Sequence, residues 1–381
     1  MSEPRRVLGD ASGALADLGI LIPLAATLAL RNGLDGGTLL LCAGMLYVAA
    51  GLYFRVPVSV QPVKAAAAIA IAHQLDAAVV AAAAVILGSI LVLAALAGVT
   101  DRLATLFPLP VIRALQLGVG LVLVRTAFDM VALQEPLLVG AVAVTGTALA
   151  VVGVRTRWAA PAILALVMGG VVWSLLAGGP IEVGLQPVDI APADGVFDGR
   201  TLWLALTMLV LPQLPLTFGN AVVAVVDLEH RYFGAGAARV STRSITLSCG
   251  LANLLSGCVG GMPLCHGSNG LTAHFRAGAR TYRMNLMIGL TLVAAVLLLG
   301  GSALLLLSLI PLAVLAALLT FTAVSHGALV ADLRGYPLVL AVVAGVAGAA
   351  ASNLLVTLGI ALVAYWVPQL HVARREVLQG A

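Results

Sequence analysis

The sequence predicts an all-α polytopic membrane protein with fourteen membrane segments, arranged as two inverted halves of seven, with two half-helices meeting at the midplane. Three observations predict it: an apolar composition, evenly spaced apolar runs, and a short proline-introduced run at the same place in each half. Of 381 residues, 61% are hydrophobic and 9% are charged. A soluble domain carries about 25% charged residues, so lipid has to act as the solvent here. At about 20 residues per span and ~5–7 per connector, the length accommodates roughly fourteen spans and leaves no room for a separate soluble domain.

The first half (residues 1–177) holds apolar runs at Gly13–Leu30, Gly36–Phe54, Pro62–Ala72, Ala77–Gly98, Leu109–Phe128, Leu137–Gly153 and Ala159–Ala177. The polar start, Met1–Arg6, leads into a run that holds Asp17 and continues into further spans, so a cleaved signal peptide is not expected. Residues 178–200 form the longest polar connector, rich in Gly, Pro and Asp, which reads as an exposed extracytoplasmic loop. The second half (residues 201–381) holds runs at Leu202–Val226, Ser244–Gly257, His266–Phe275, Leu286–Leu307, Leu312–Val324, Leu338–Ala351 and Leu354–Val367. An odd number of spans per half makes the second half enter the membrane from the opposite side, which is an inverted repeat.

The charges are independent of the apolar runs, and they agree with this threading. With Arg5 and Arg6 cytoplasmic, it puts Arg102, Arg155, Arg157, Arg231, Arg239, Arg243, Arg276, Arg280, Arg283, Arg334, Arg374 and Arg375 on the same side. Arg31 and Arg200 fall outside, with the acids Asp35, Asp76, Glu135, Glu182, Asp189, Asp194 and Asp198. Both termini are therefore expected in the cytoplasm. The basic cluster Arg276–Arg283 is read as a topology determinant facing anionic lipid, and Arg113 and Gln116 as anchoring and packing groups of the fifth span. Cys42, Cys249, Cys258 and Cys265 have no CxxC spacing, so neither disulfides nor a metal site is expected.

In each half the third run is too short to cross a bilayer. The first is introduced by Val56-Pro-Val-Ser-Val-Gln61-Pro62-Val-Lys64-Ala65 and the second by Gly260-Gly-Met-Pro263-Leu-Cys265-His266-Gly267-Ser268. Val56–Val60 is β-branched and alternating, which suits an extended approach, and Pro62 and Pro263 suit the first helical turn. Paired short segments of this kind point to a transporter's midplane site, because non-helical backbone at that depth has to line a cavity or be buried in protein. Two helix N-termini of about +0.5 charge each, plus Lys64, give a field of roughly +2 suited to a doubly charged oxyanion. Lys64 is the single lysine among 20 basic residues.

Asp17 is read either as a proton-coupling acid or as a structural partner. Gln213, Thr217 and Asn220 share one face of the eighth run, and Pro212 and Pro215 are expected to unwind it. His266 is favoured over His73, His274 and His326 because it stands at the second half-helix start.

Four motifs carry a family likeness: Gly13-Ala-Leu-Ala-Asp17-Leu-Gly-Ile-Leu-Ile-Pro23, Pro57-Val-Ser-Val-Gln61-Pro62-Val-Lys64-Ala, Gln213-Leu-Pro-Leu-Thr-Phe-Gly-Asn220, and Pro263-Leu-Cys265-His266-Gly-Ser-Asn-Gly-Leu with Arg276-Ala-Gly-Ala-Arg280-Thr. Together they resemble the molybdate transporter family, a branch of the sulfate permease superfamily. The departures are Ala16 where the family more often has Gly, Ile20 where it has Thr, Val63 where Met is usual and Asn269 where Gly is common.

The resemblance implies core and gate domains and elevator-like uptake of molybdate, without an enzymatic activity or a cofactor. The chain ends at Ala381, so the C-terminal regulatory domain of many sulfate permeases is expected to be absent. The substrate site expected from residues and resemblance together comprises Gln61, Lys64, Ala65, Gln213, Asn220, Cys265, His266, Gly267 and Ser268, with Asp17 in a coupling role. The expected setting is the cytoplasmic membrane; the partners are lipid and the oxyanion, not nucleic acid, with a homodimer left open. Sulfate and tungstate stay open as alternatives, since the charge argument serves any tetrahedral dianion. Nucleobase permeases share the architecture but would be expected to carry an acid in the eighth span. An intramembrane Cys265–His266 enzyme is the remote alternative, disfavoured because helix neighbours point about 100° apart.

Overall fold

The computed structural model describes residues 3–132, 136–155, 159–177, 187, 188, 190, 195–304 and 309–379. Glu135, Arg157, Glu182, Asp189 and Asp194, and most of the 178–200 connector, lie outside the described residues. Each of the fourteen apolar runs contains helix among the described residues. Seven helical stretches among the described residues are long and apolar enough to cross a bilayer, and four shorter apolar helices accompany them.

The first run begins earlier than its hydropathy suggests and is broken at Asp17, giving α1 (Glu3–Ala16) and α2 (Leu18–Asn32). The helix α3 (Gly36–Phe54) starts at Asp35, whose carboxylate accepts the Thr38 amide at 2.6 Å. After it the chain runs extended to β1 (Gln61–Pro62) and enters the short helix α4 (Lys64–Ala72). Then follow α5 (Ala77–Leu96), α6 (Thr100–Ala104), α7 (Leu109–Ala132), α8 (Pro136–Arg155) and α9 (Ala159–Ala177).

The second half opens with a long composite helix: α10 (Gly199–Leu204), a π-helical stretch (Ala205–Val210), α11 (Leu211–Leu216), a second π-helical stretch (Thr217–Val223) and α12 (Ala224–Phe233). Pro212 and Pro215 thus do not unwind the helix. Each lacks the N–H that would bond the carbonyl four residues back. The chain adjusts by widening its turns, with the Leu211 amide bonding Leu206 and the Ala224 amide bonding Gly219, five residues back in each case. Beyond it lie α13 (Thr242–Cys258), β2 (Leu264–Cys265), α14 (Ser268–Ala277), α15 (Arg283–Leu299), α16 (Leu312–Gly327), α17 (Gly335–Ala350) and α18 (Leu354–Gln379). The helix α15 stops short of the expected Leu307 because Gly300, at φ 59°, takes a conformation that side chains disfavour.

The two short runs approach each other as expected, but the prolines sit outside the helices. Pro62 lies in β1 and Pro263 precedes β2; the helices begin later, at Lys64 and Ser268. The strands are antiparallel, pairing Gln61 with Cys265 and Pro62 with Leu264, and the Val63 amide donates to the Pro263 carbonyl at 3.0 Å. Proline removes a donor, so it serves in this two-stranded crossing, which has no further strand to satisfy.

Extended backbone inside an apolar bundle leaves costly polar groups. One asparagine from a neighbouring full helix serves each approach. Asn285 on α15 accepts the Val58 amide at 2.9 Å and donates to the Val58 carbonyl at 2.7 Å. Asn253 on α13 accepts the Leu264 amide at 3.0 Å and donates to its carbonyl at 2.6 Å. Ser256 and Ser59 cap the Met262 and Gly267 carbonyls at 2.7 and 2.6 Å.

The helices pack as two groups. The α3–α15 and α5–α13 pairs, with α1, α4, α10–α12 and α14, form the first; α7, α8, α16, α17 and α18 pack closely with one another in the second. Helix α5 lies so close to α13 that a Cβ on Gly88 would stand 2.6 Å from the Leu254 amide nitrogen, the small-residue contact that membrane helices use.

Candidate functional site

Lys64 occupies the first position of α4, beside the amides that start that helix. Its Nζ donates to Gln61 Oε1 at 2.6 Å and to Asn269 Oδ1, on α14, at 2.7 Å. Gln61 turns its other end to Asp17, whose Oδ1 accepts from Gln61 Nε2. One amide therefore bridges the ammonium to a buried carboxyl at the break between α1 and α2. His274 Nε2 stands 3.9 Å from Asp17 Oδ2, with Tyr47 Oη 3.4 Å from the same nitrogen. His274 Nδ1 lies 2.7 Å from the Gly13 carbonyl, which can only accept, so Nδ1 carries a proton. This cluster fits only because α14 has Gly270 there: a Cβ at that position would lie 2.5 Å from Asp17 Oδ2.

Asp17 changes the expected electrostatics. Ionised, it offsets the charge of Lys64 and leaves the two helix termini as the net positive field; protonated, it restores the full field of roughly +2.

The site cavity lies where α4, α7, the composite helix, the β2 end and α18 meet. It is small, about 30 Å³, and is lined by Lys64, Ala65, Leu115, Val119, Gln213, Leu216, Thr217, Asn220, Ala221, Cys265 and Leu354. Gln213 Oε1 takes the Ala66 amide at 3.1 Å and Gln213 Nε2 donates to Thr217 Oγ1 at 3.0 Å, so one side chain ties the composite helix to the start of α4. A larger cavity of about 410 Å³ adjoins it, sharing Lys64, Ala65, Val119, Leu216 and Leu354 and reaching Ser352 and Asn353 at the α17–α18 turn.

Of the nine expected substrate residues, Lys64, Ala65, Gln213, Asn220 and Cys265 line the cavity. Gln61, His266, Gly267 and Ser268 stand behind it. Ser268 donates to Asn220 Oδ1 at 2.6 Å, which joins α14 to the composite helix. Gly267 is the residue before α14, and Gln61 packs over it. The His266 ring is directed away from the cavity: Nδ1 lies 2.8 Å from the Ser59 carbonyl, and Nε2 2.9 Å from Ser248 Oγ. Both nitrogens are engaged and neither serves Cys265.

Sequence reasoning ranked His274 and His326 below His266. The structure puts His274 beside Asp17, and His326 on α16 within 3.3 Å of Ser268 Oγ and 3.1 Å of Thr272 Oγ1. Asn269, which bonds Lys64, stood out only as a departure from a motif. Arg113, read as an anchor of its span, is buried and held by two carboxylates, Asp227 and Asp332, and by Gln116.

The fold matches the transmembrane domain of the cyanobacterial bicarbonate transporter BicA with a TM-score of 0.58 at 19% identity, covering 94% of this chain and 97% of that one. It also matches SLC26A9, with a TM-score of 0.61 at 14% identity over 98% of this chain and 66% of that one. Among curated proteins, molybdate transporter 1 of Arabidopsis thaliana is 28% identical, over 87% of this chain and 81% of its own length. Molybdate transporter 1 of Chlamydomonas reinhardtii is also 28% identical, over 85% and 84%. A family model described as the molybdate transporter of the MFS superfamily matches residues 9–123 and 205–325, which is more than half of the chain and includes every expected site residue. The chain is therefore a multi-pass membrane protein and belongs to the molybdate transporter family.

Proposed function

We propose that the protein imports molybdate across the cytoplasmic membrane by alternating access, with the oxyanion held at the cavity between the starts of α4 and α14. The single observation that carries this reading is the Lys64 ammonium at the first position of α4, with Gln213, Thr217 and Asn220 on the facing helix. A dianion there meets a full positive charge, helix-terminal amides and neutral donors. In this reading the first packing group, together with α2, acts as the moving core and the second, together with α9, as the fixed gate, in a seven-plus-seven inverted repeat.

Asp17 makes the transport a proton symport in this reading. A dianion beside Lys64 favours a proton on a carboxyl one amide away, so anion and proton enter together. The sidedness rests on the arginines. Contacts bring three arginines to one end of the bundle: Arg239 bonds the Tyr53 carbonyl, Arg243 the Ala95 carbonyl, and Arg231 pairs with Asp332. Assigning that end to the cytoplasm follows the positive-inside rule and leaves both termini inside.

The test is uptake into proteoliposomes followed by metal analysis, with sulfate and tungstate as competitors. Saturable molybdate uptake, displaced by tungstate and driven by an inward proton gradient, is the expected result. Vesicles that accumulate no molybdate, or accumulate sulfate in its place, would overturn the assignment.

A further inference from the structure

We propose that Arg113, Asp227, Arg231 and Asp332 form an ionic latch that closes the site toward the arginine-rich face and opens for the oxyanion to leave there. The inference rests on the alternating-access reading above and names the contacts that separate in it.

Arg113 begins the second packing group, near the start of α7, two residues before the cavity-lining Leu115. Its side chain is 1% exposed. It donates to Asp227 on α12 at 2.8 Å, and grips Asp332, just after α16, through Nε at 3.1 Å and Nη2 at 2.8 Å. Arg231, one turn beyond Asp227, donates to the same Asp332 at 2.5 Å.

Asp227 and Arg231 belong to the first group, and Arg113 and Asp332 to the second. Arg113–Asp227 and Arg231–Asp332 therefore cross between groups, whereas Arg113–Asp332 stays within one. A relative movement of the groups breaks the two crossing pairs yet leaves Arg113 with a bidentate partner. A buried charge stripped of all partners is strongly destabilising, and this arrangement avoids it in both states. The side chains of Asp227 and Asp332 are 30% and 25% exposed, so water can take over the freed positions as the groups part. At the opposite end, the 410 Å³ cavity reaches the α17–α18 turn, and no ion pair among the described residues crosses between groups there. The structure is thus closed on the arginine-rich face and accessible from the other.

Cys265 reports the state of the latch, because it lines the site and is 5% exposed. With Cys42 and Cys249 replaced by alanine and Cys258 by serine, a membrane-impermeant maleimide is applied to either face of oriented vesicles. Asp227→Asn and Arg231→Gln break the crossing pairs and spare Arg113–Asp332. From the arginine-rich face, either substitution should raise the rate of Cys265 labelling about fivefold, while labelling from the opposite face falls. An unchanged rate from the arginine-rich face overturns the latch. So does a rise from both faces, which marks general loosening. Labelling needs no substrate, so it judges the latch separately from the molybdate assignment, which fails by absence of uptake in the unsubstituted protein.

Discussion

Lys64 and Asp17 share a single glutamine. The amide of Gln61 is fixed in orientation by its two partners, since its oxygen faces the ammonium and its nitrogen faces the carboxyl. Any change in charge at one end is therefore felt at the other through one rigid group in a poorly screened interior. If uptake is the proposed proton symport, it should accelerate as the outside pH falls, because in that reading the form that accepts a dianion carries a proton on Asp17. In Asp17→Asn, uptake measured across a pH series should become flat. A profile that keeps its slope would remove Asp17 from coupling. At this scale, Lys64 was legible because it is the single lysine of an arginine-rich chain, placed between apolar runs. The partners Asn269, His274 and Tyr47 were not, because they reach the site from positions distant in sequence, which only the packing of α3 and α14 brings together.

The two short helices exist because their approaches are satisfied. Asn285 and Asn253 each spend a whole side-chain amide on one residue of extended backbone, which lets β1 and β2 cross inside the bundle. Asn285→Ala leaves the amide and carbonyl of Val58 without their partner, a loss of about 2 kcal/mol or more. The expected outcome is a lower unfolding temperature of the purified protein with the helical content of the folded state preserved. A melting curve that overlays the parent would show that Val58 is satisfied elsewhere. Hydropathy predicted α3 to the residue, because its ends coincide with the ends of an apolar run. It misplaced the starts of α4 and α14, since Pro62 and Pro263 serve the strand crossing instead of a first turn. The π-helical stretches around Gln213 and Asn220 were also hidden: prolines announce a disturbed helix, but the register that replaces it depends on neighbouring helices.

At the scale of the molecule, two packing groups meet along the cavity, open toward the α17–α18 turn and locked at the arginine-rich end. The charge asymmetry visible in the sequence becomes a physical end of the bundle, where α3, α5, α12 and α16 finish and α7 and α13 begin. Arg334, exposed just beyond the latch, marks that end. In a background without the native cysteines, Arg334→Cys should react with an impermeant reagent only in inside-out vesicles. Reaction in intact cells would invert the threading. In the proposed site the Lys64 ammonium supplies the charge that holds the oxyanion. Equilibrium binding of molybdate to purified protein, compared with Lys64→Ala, tests it most directly. Loss of a buried charged partner costs about 2 kcal/mol or more, so affinity should fall roughly thirtyfold or further. Binding of Lys64→Ala with the parent's affinity would contradict the account.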